Sequence, residues 1–317
     1  GWITPRVSAP VTPLGLSPVF WFIVLGLVLL GIFVRHEQSM VAAGKDALLD
    51  VRLLRILPMR AGLITFICQQ FIVMGTFFVL PLYLQTVIGY DALQTGIVLL
   101  PLSLSLLVFA LGGARLAGRY SPKRIVMMGL GALIGGLVLL IAFTSPDLRS
   151  IGFALALAFV GAGNGLLVSQ LGNVVMSSVP SERGGEAGGL QGTAMNLGAS
   201  LGVALVGSVL LASLIGNFQK AVVANPELAP IASQLMAQAE QSANFVSVAQ
   251  IGSAAEEAGL NAAQVTAVTT NYAAAQIVAL KVAFATIALM ALLALWYVQS
   301  LPEHASEAKP DERLTPA

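Results

Sequence analysis

Several polar side chains stand inside long apolar runs, where such a group must find a partner or face water. Gln69 and Gln70 lie beside Phe71, Met74, Phe77 and Phe78. Asn164, Ser169, Gln170 and Asn173 share a later run, Gln191, Thr193 and Asn196 a third, and Gln276 and Lys281 the last. Helical spacing puts Gln70, Met74 and Phe77 on one stripe, and Asn164, Gln170 and Asn173 close to another. Amides among aromatic and thioether side chains suit a pocket for flat, lipophilic, often cationic compounds. The candidate pocket residues are therefore Gln69, Gln70, Met74, Phe77, Asn164, Gln170, Asn173, Asn196 and Lys281. The competing reading is that the amides only bond neighbouring helices. Lys281, the one ionisable group well inside a run, either faces a central cavity or snorkels to headgroups.

Other chemistries find no support. The two histidines, His36 and His304, flank the apolar runs, and no HExxH or GxSxG occurs, so no enzyme is expected. Cys68 is the single cysteine, which allows neither an intrachain disulfide nor a thiolate metal site. Gly161-Ala162-Gly163-Asn164-Gly165 lacks the following Lys-Ser/Thr and the preceding strand of a phosphate loop. No cofactor or metal is expected. The net charge of +1 argues neither way about nucleic acid, and no such partner is expected. No Asp or Glu lies inside a run, since Asp91, Asp147, Glu182 and Glu186 all fall in loops. A proton-driven transporter would need a carboxylate that changes protonation, so such coupling either lies elsewhere or is absent.

The elements that position these residues follow from composition. Of 317 residues, 57% are hydrophobic and 10% charged, too few charges to cover a water-soluble surface. Runs long enough to cross a bilayer, about 20 residues, occur at roughly 16–34, 61–84, 95–117, 125–144, 150–173, 188–216 and 272–299. The expectation is an all-α, polytopic membrane protein of seven spans. Lys and Arg set the orientation. Arg35, Lys45, Arg52, Arg55, Arg60, Arg115, Arg119, Lys123, Arg124, Arg183, Lys309 and Arg313 fall on one set of alternate loops, against Arg6, Arg149 and Lys220 on the other. Residues 35–60 and the C-terminus are thus expected in the cytoplasm, and residues 1–15 and 217–271 outside.

Between spans, 47–57 has an apolar face with basic residues beside it. It reads as a short helix on the cytoplasmic surface near anionic headgroups, or else as a solvated linker. The Ala-rich stretch 217–271 reads as an external hairpin of two amphipathic helices, around 227–250 and 254–268. The tail 301–317 reads as disordered. The chain begins at Gly1 with no basic stretch and cleavage site before the first run, so no signal peptide is expected and a chain with its start missing is.

Three stretches carry a resemblance. Pro81-Leu82-Tyr83-Leu84-Gln85, Gly89, Gly96 and Leu99-Leu100-Pro101 resemble the PLYLQ…G-x-x-LLP run of EmrB/QacA-type exporters, the 14-helix drug:proton antiporters of the major facilitator superfamily. Ala114-Arg115-Leu116-Ala117-Gly118-Arg119-Tyr120-Ser121-Pro122-Lys123-Arg124 is similar to the superfamily's loop G-x-L-A-D-R-x-G-x-R-R, with Gly118 where the family has Asp. Val179-Pro180 through Gly188-Gly189-Leu190, followed by Asn196-Leu197-Gly198-Ala199-Ser200-Leu201-Gly202, is similar to the lead-in to the penultimate helix.

The resemblance spans about residues 16–300 and implies the C-terminal six-helix bundle with one preceding linker helix. The implied domains are 1–34, an external segment and linker span; 35–60, a cytoplasmic linker; 61–300, the bundle; and 301–317, the tail. The implied activity is export of lipophilic or cationic drugs or metabolites from the inner membrane by proton-coupled alternating access. Its partners would be membrane lipids, a small lipophilic substrate, protons, and an N-terminal bundle of the same protein that holds the coupling acids. The signature residues Arg115, Gly118, Arg119, Lys123 and Arg124 would close the cytoplasmic side, or merely obey the positive-inside rule. Transport of a narrower substrate (siderophore, lipid or sugar) and a truncated, non-transporting product are the alternatives.

Overall fold

A computed structural model describes residues 18–44, 48–146, 151–176, 179–228, 231 and 245–298. The chain divides into two compact units, ending and beginning at Ile56 and Leu57.

The first unit contains α1, Pro18–Ala42, a helix apolar almost all round. After a turn, Asp50 accepts the Arg52 N–H at 2.9 Å and opens a 3-10 turn, Val51–Arg55. This five-residue turn stands where a surface helix over 47–57 was expected. A carboxylate that bonds the backbone two residues on competes with helix propagation, and residues 45–47 lie outside the described set.

The second unit is a helical bundle. It comprises α2 (Leu57–Leu82, continued by a π turn, Tyr83–Val87), α3 (Ala92–Val98), α4 (Leu100–Leu116), α5 (Pro122–Phe143), α6 (Ile151–Met176), α7 (Gly184–Ala224), α8 (Val248–Glu257) and α9 (Ala262–Val298). By length and composition six helical stretches among the described residues can cross a membrane. The α3–α4 pair makes a seventh if its 45° bend is counted as one crossing. That bend interrupts the run expected to be continuous over 95–117. Pro101 in the first turn of α4 has no N–H to give the carbonyl four residues back. α3 itself starts on a capping box, Asp91 with Gln94, and reciprocal boxes at Ser247/Gln250 and Asn261/Gln264 open α8 and α9.

α7 and α9, at 41 and 37 residues, would be about 60 and 55 Å long, against roughly 30 Å of hydrocarbon. Both therefore run past the span limits 216 and 272 drawn from hydropathy, and the expected second amphipathic helix at 254–268 does not form as one piece. Gly259, at φ 78°, ends α8, because only glycine takes that conformation without strain. Residues 229–230 and 232–244 lie outside the described set. The α7 extension leans on α9 at its span limit through an edge-to-face pair, Phe218 with Tyr272, 5.7 Å between centroids.

Packing follows a repeated scheme. α2 packs on α7 and α6 packs on α4; α2 meets α9 as α6 meets α5; and α2–α6 and α5–α9 close the bundle. Exchanging α2, α4 and α5 with α6, α7 and α9 maps these pairings onto themselves, but α7 also packs on α9, a contact with no α4–α5 counterpart of similar extent. Three crossings per half reverse the polarity of the second half, which is the topology of inverted repeats.

Candidate functional site

Glycine sets how close the helices come. A Cβ on Gly198 of α7 would strike the Ile67 carbonyl of α2, and one on Gly202 would lie 2.6 Å from the Phe71 oxygen. Gly161 and Gly165 of α6 stand likewise against the Leu102 and Leu106 carbonyls of α4, while Gly163 faces the backbone of Gly129 and Leu133 in α5. Small residues allow helices to associate in lipid by close backbone contact. The Gly161–Gly165 string is thus a packing surface toward two helices, α4 and α5.

Within this frame the predicted polar residues separate into two groups. The sealed group includes Gln170, whose Nε2 donates to the Gly113 carbonyl of α4 at 3.0 Å and to Ser169 Oγ at 3.2 Å. Asn164 is buried; its Nδ2 donates to Val160 O one turn back at 3.1 Å, and its Oδ1 has no partner among the described residues. Gln69 is also buried. Gln276, fully buried, donates from Nε2 to the Val246 carbonyl at 2.7 Å, beside Tyr272, whose hydroxyl accepts the Val246 N–H and donates to its carbonyl, both at 3.2 Å. Two side chains of α9 therefore clamp the strap leading into α8.

The open group lies on α2, α7 and α9. Gln70 and Met74 are half-buried and Phe77 is 42% exposed, so the three share the least covered stripe of α2. Gln70 borders α7, its Cβ 3.0 Å from where a Gly198 Cβ would be. Asn196 sits on the far side of α7 from Gly198 and Gly202, two residues being 200° of helix, and the structure does not bring it to Gln70. It is exposed, with Thr193 and Ser200 on the same face, and each bonds a carbonyl of its own helix four residues back. Lys281 is half-buried near the middle of α9. Asn173 lies in α6, but its side chain falls outside the described set.

The basic signature forms a tight turn. Arg115 closes α4, Gly118 and Arg119 occupy the turn, and Lys123 and Arg124 follow Pro122 in the first turn of α5. Arg115, Gly118, Arg119 and Arg124 are exposed and Lys123 is half-buried. Next to α7, Arg183 and Glu186 stand 3.9 Å apart, a partly exposed i,i+3 pair of small energetic weight.

Sequence reasoning missed Tyr83. Its ring is fully buried, 5.9 Å from that of Phe153, and its hydroxyl donates to the Ser145 carbonyl, tying the π turn to the α5–α6 connection. The PLYLQ stretch carried the signal, because a tyrosine near a membrane interface pairs a polar tip with an apolar body.

No metal-ligating cluster occurs among the described residues. The arrangement is a set of close glycine-mediated helix contacts with a half-open stripe on α2. Comparison decides the lineage: the Major Facilitator Superfamily profile matches residues 3–203. The chain belongs to this superfamily.

Relatives of this superfamily member include the tetracenomycin C resistance and export protein of Streptomyces glaucescens, 31% identical over 54% of the chain and 32% of the relative. The uncharacterized transporter YebQ of Escherichia coli is 34% identical over 58% and 39%. The multidrug resistance protein Stp of Mycobacterium tuberculosis is 29% identical over 55% and 32%. The matched part of the chain thus spans about a third of the length of each. Membership makes the chain a multi-pass membrane protein of a transporter family.

Proposed function

We propose that this chain forms part of an exporter of lipophilic or cationic drugs or metabolites, working by proton-coupled alternating access. In this reading it supplies the C-terminal bundle and a preceding linker span of a 14-helix, EmrB/QacA-type antiporter in the inner membrane, its C-terminus cytoplasmic. A second bundle would face the open stripe and carry the coupling acids. The observation that carries the reading is the concentration of related proteins named for drug resistance or efflux. Gln70, Met74 and Phe77 support it as a half-open strip of amide, thioether and ring, which suits planar, apolar solutes. The expected lining also includes Asn196 and Lys281, while Gln69, Asn164 and Gln170 would hold the wall behind it.

Three relatives are named for single natural products, tetracenomycin C, tetracycline and actinorhodin, and they favour a second reading in which the substrate is one aromatic metabolite. Expression of the full-length gene in a host stripped of efflux pumps separates the readings. Export predicts lower ethidium accumulation, restored by a protonophore. Unchanged ethidium with resistance to one aromatic antibiotic supports the narrow substrate. Neither effect would sink both.

A further inference from the structure

The end of α1 and the residues after it make a closed structure within the first unit. Gly44 takes φ 66° just past α1, and the Leu49 N–H donates to Glu37 Oε2 at 3.0 Å. Asp50 then accepts the Arg52 N–H and opens the 3-10 turn. Both carboxylates are turned inward, Glu37 3% and Asp50 7% exposed, and each spends an oxygen on a backbone N–H, as a buried charge must.

The outward face has the opposite character. Arg35, Arg52 and Arg55 are exposed, and none has an ion-pair partner among the described residues. Leu48 is 81% exposed and Leu54 is also exposed. Guanidinium groups beside free leucines, at the end of an apolar helix able to span a bilayer, complement one partner in charge and in polarity. Arginine forks bind phosphate oxygens, and apolar side chains dip between acyl chains.

We propose that residues 48–55, clasped by Glu37, are a docking surface for anionic phospholipid headgroups. Arg52 and Arg55 take the phosphates, Leu48 and Leu54 enter the acyl boundary, and Glu37 is a positioning residue that presents them. Simple attraction of loose basic residues to a charged bilayer makes the opposite forecast for Glu37. Removing an acid would then strengthen the preference for anionic lipid.

The test uses the full chain in vesicles of phosphatidylcholine containing a minority of phosphatidylglycerol. A fluorophore on Ser39→Cys, in a Cys68→Ser background, is quenched by spin-labelled phosphatidylglycerol or by spin-labelled phosphatidylcholine. The expected result is stronger quenching by phosphatidylglycerol. Arg52→Gln/Arg55→Gln should weaken that preference on the order of tenfold, Arg52→Lys/Arg55→Lys should keep most of it, and Glu37→Ala should lose it despite the added net positive charge. Flotation verifies that each variant remains in the vesicles. Equal quenching by the two lipids, an undiminished preference in the double Gln variant, or a stronger one in Glu37→Ala would overturn the proposal.

Discussion

In α6, Asn164 and Gln170 are enclosed by helices that glycine lets in to backbone distance, and Gln170 spends its amide on the Gly113 carbonyl of α4. In α2 and α7, Gln70 and Asn196 belong to equally apolar runs, yet their faces are left half or wholly uncovered. The side chains are nearly interchangeable as chemistry. What separates them is whether a neighbouring backbone occupies their face: where it does, an amide stitches helices, and where it does not, an amide is available to a solute or to a partner bundle. The glycines divide in the same way, since a Cβ on Gly165 meets the Leu106 carbonyl and the Ala110 nitrogen, whereas one on Gly192 of α7 meets nothing within 4 Å.

The largest effect expected from breaking this contrast is in the glycines. Gly165→Leu should cost about 3 kcal/mol or more, because backbone cannot yield, and should abolish recovery of monodisperse protein in detergent. Gly192→Leu should stay within about 0.5 kcal/mol. Equal damage from both would mean that the α7 stripe is covered after all. Next, Gln70→Leu should lower efflux per folded molecule about fivefold, the worth of one hydrogen bond to substrate, with the melting temperature unchanged; normal efflux would remove α2 from the pocket. Gln170→Leu should show the reverse, a loss of about 1 kcal/mol in thermal unfolding with efflux per folded molecule intact. Smallest of all, Asn164→Leu should be neutral or slightly stabilising, because Oδ1 is a buried acceptor without a donor among the described residues. A drop of several degrees in its melt would reveal a partner for that oxygen.

Much of the fold was legible because the bilayer imposes a length on every crossing. The runs around 125–144 and 150–173 became α5 and α6 nearly where hydropathy placed them. Legibility failed at the ends of α7 and α9, where Ala-rich sequence continues a helix into water and hydropathy has nothing to register. It failed again at Leu99, where one missing N–H bends a continuous apolar run, and at residues 51–55, where the Asp50 carboxylate competes with the helix that the apolar-basic pattern suggests. Of the candidate site, the Gln70–Met74–Phe77 stripe followed from the helical period alone. The enclosure of Gln170 did not, because its partner is a carbonyl 57 residues earlier.

The sequence by itself determined that the chain crosses a membrane repeatedly as helices, since so few charges and so many apolar runs leave no other way to satisfy its backbone. Its motifs pointed to the superfamily. Only the tertiary structure decided which faces of those helices meet. In lipid, hydrophobicity does not tell a packed face from an exposed one; that choice rests on glycine letting one backbone reach another, and it becomes visible only once both backbones are in place.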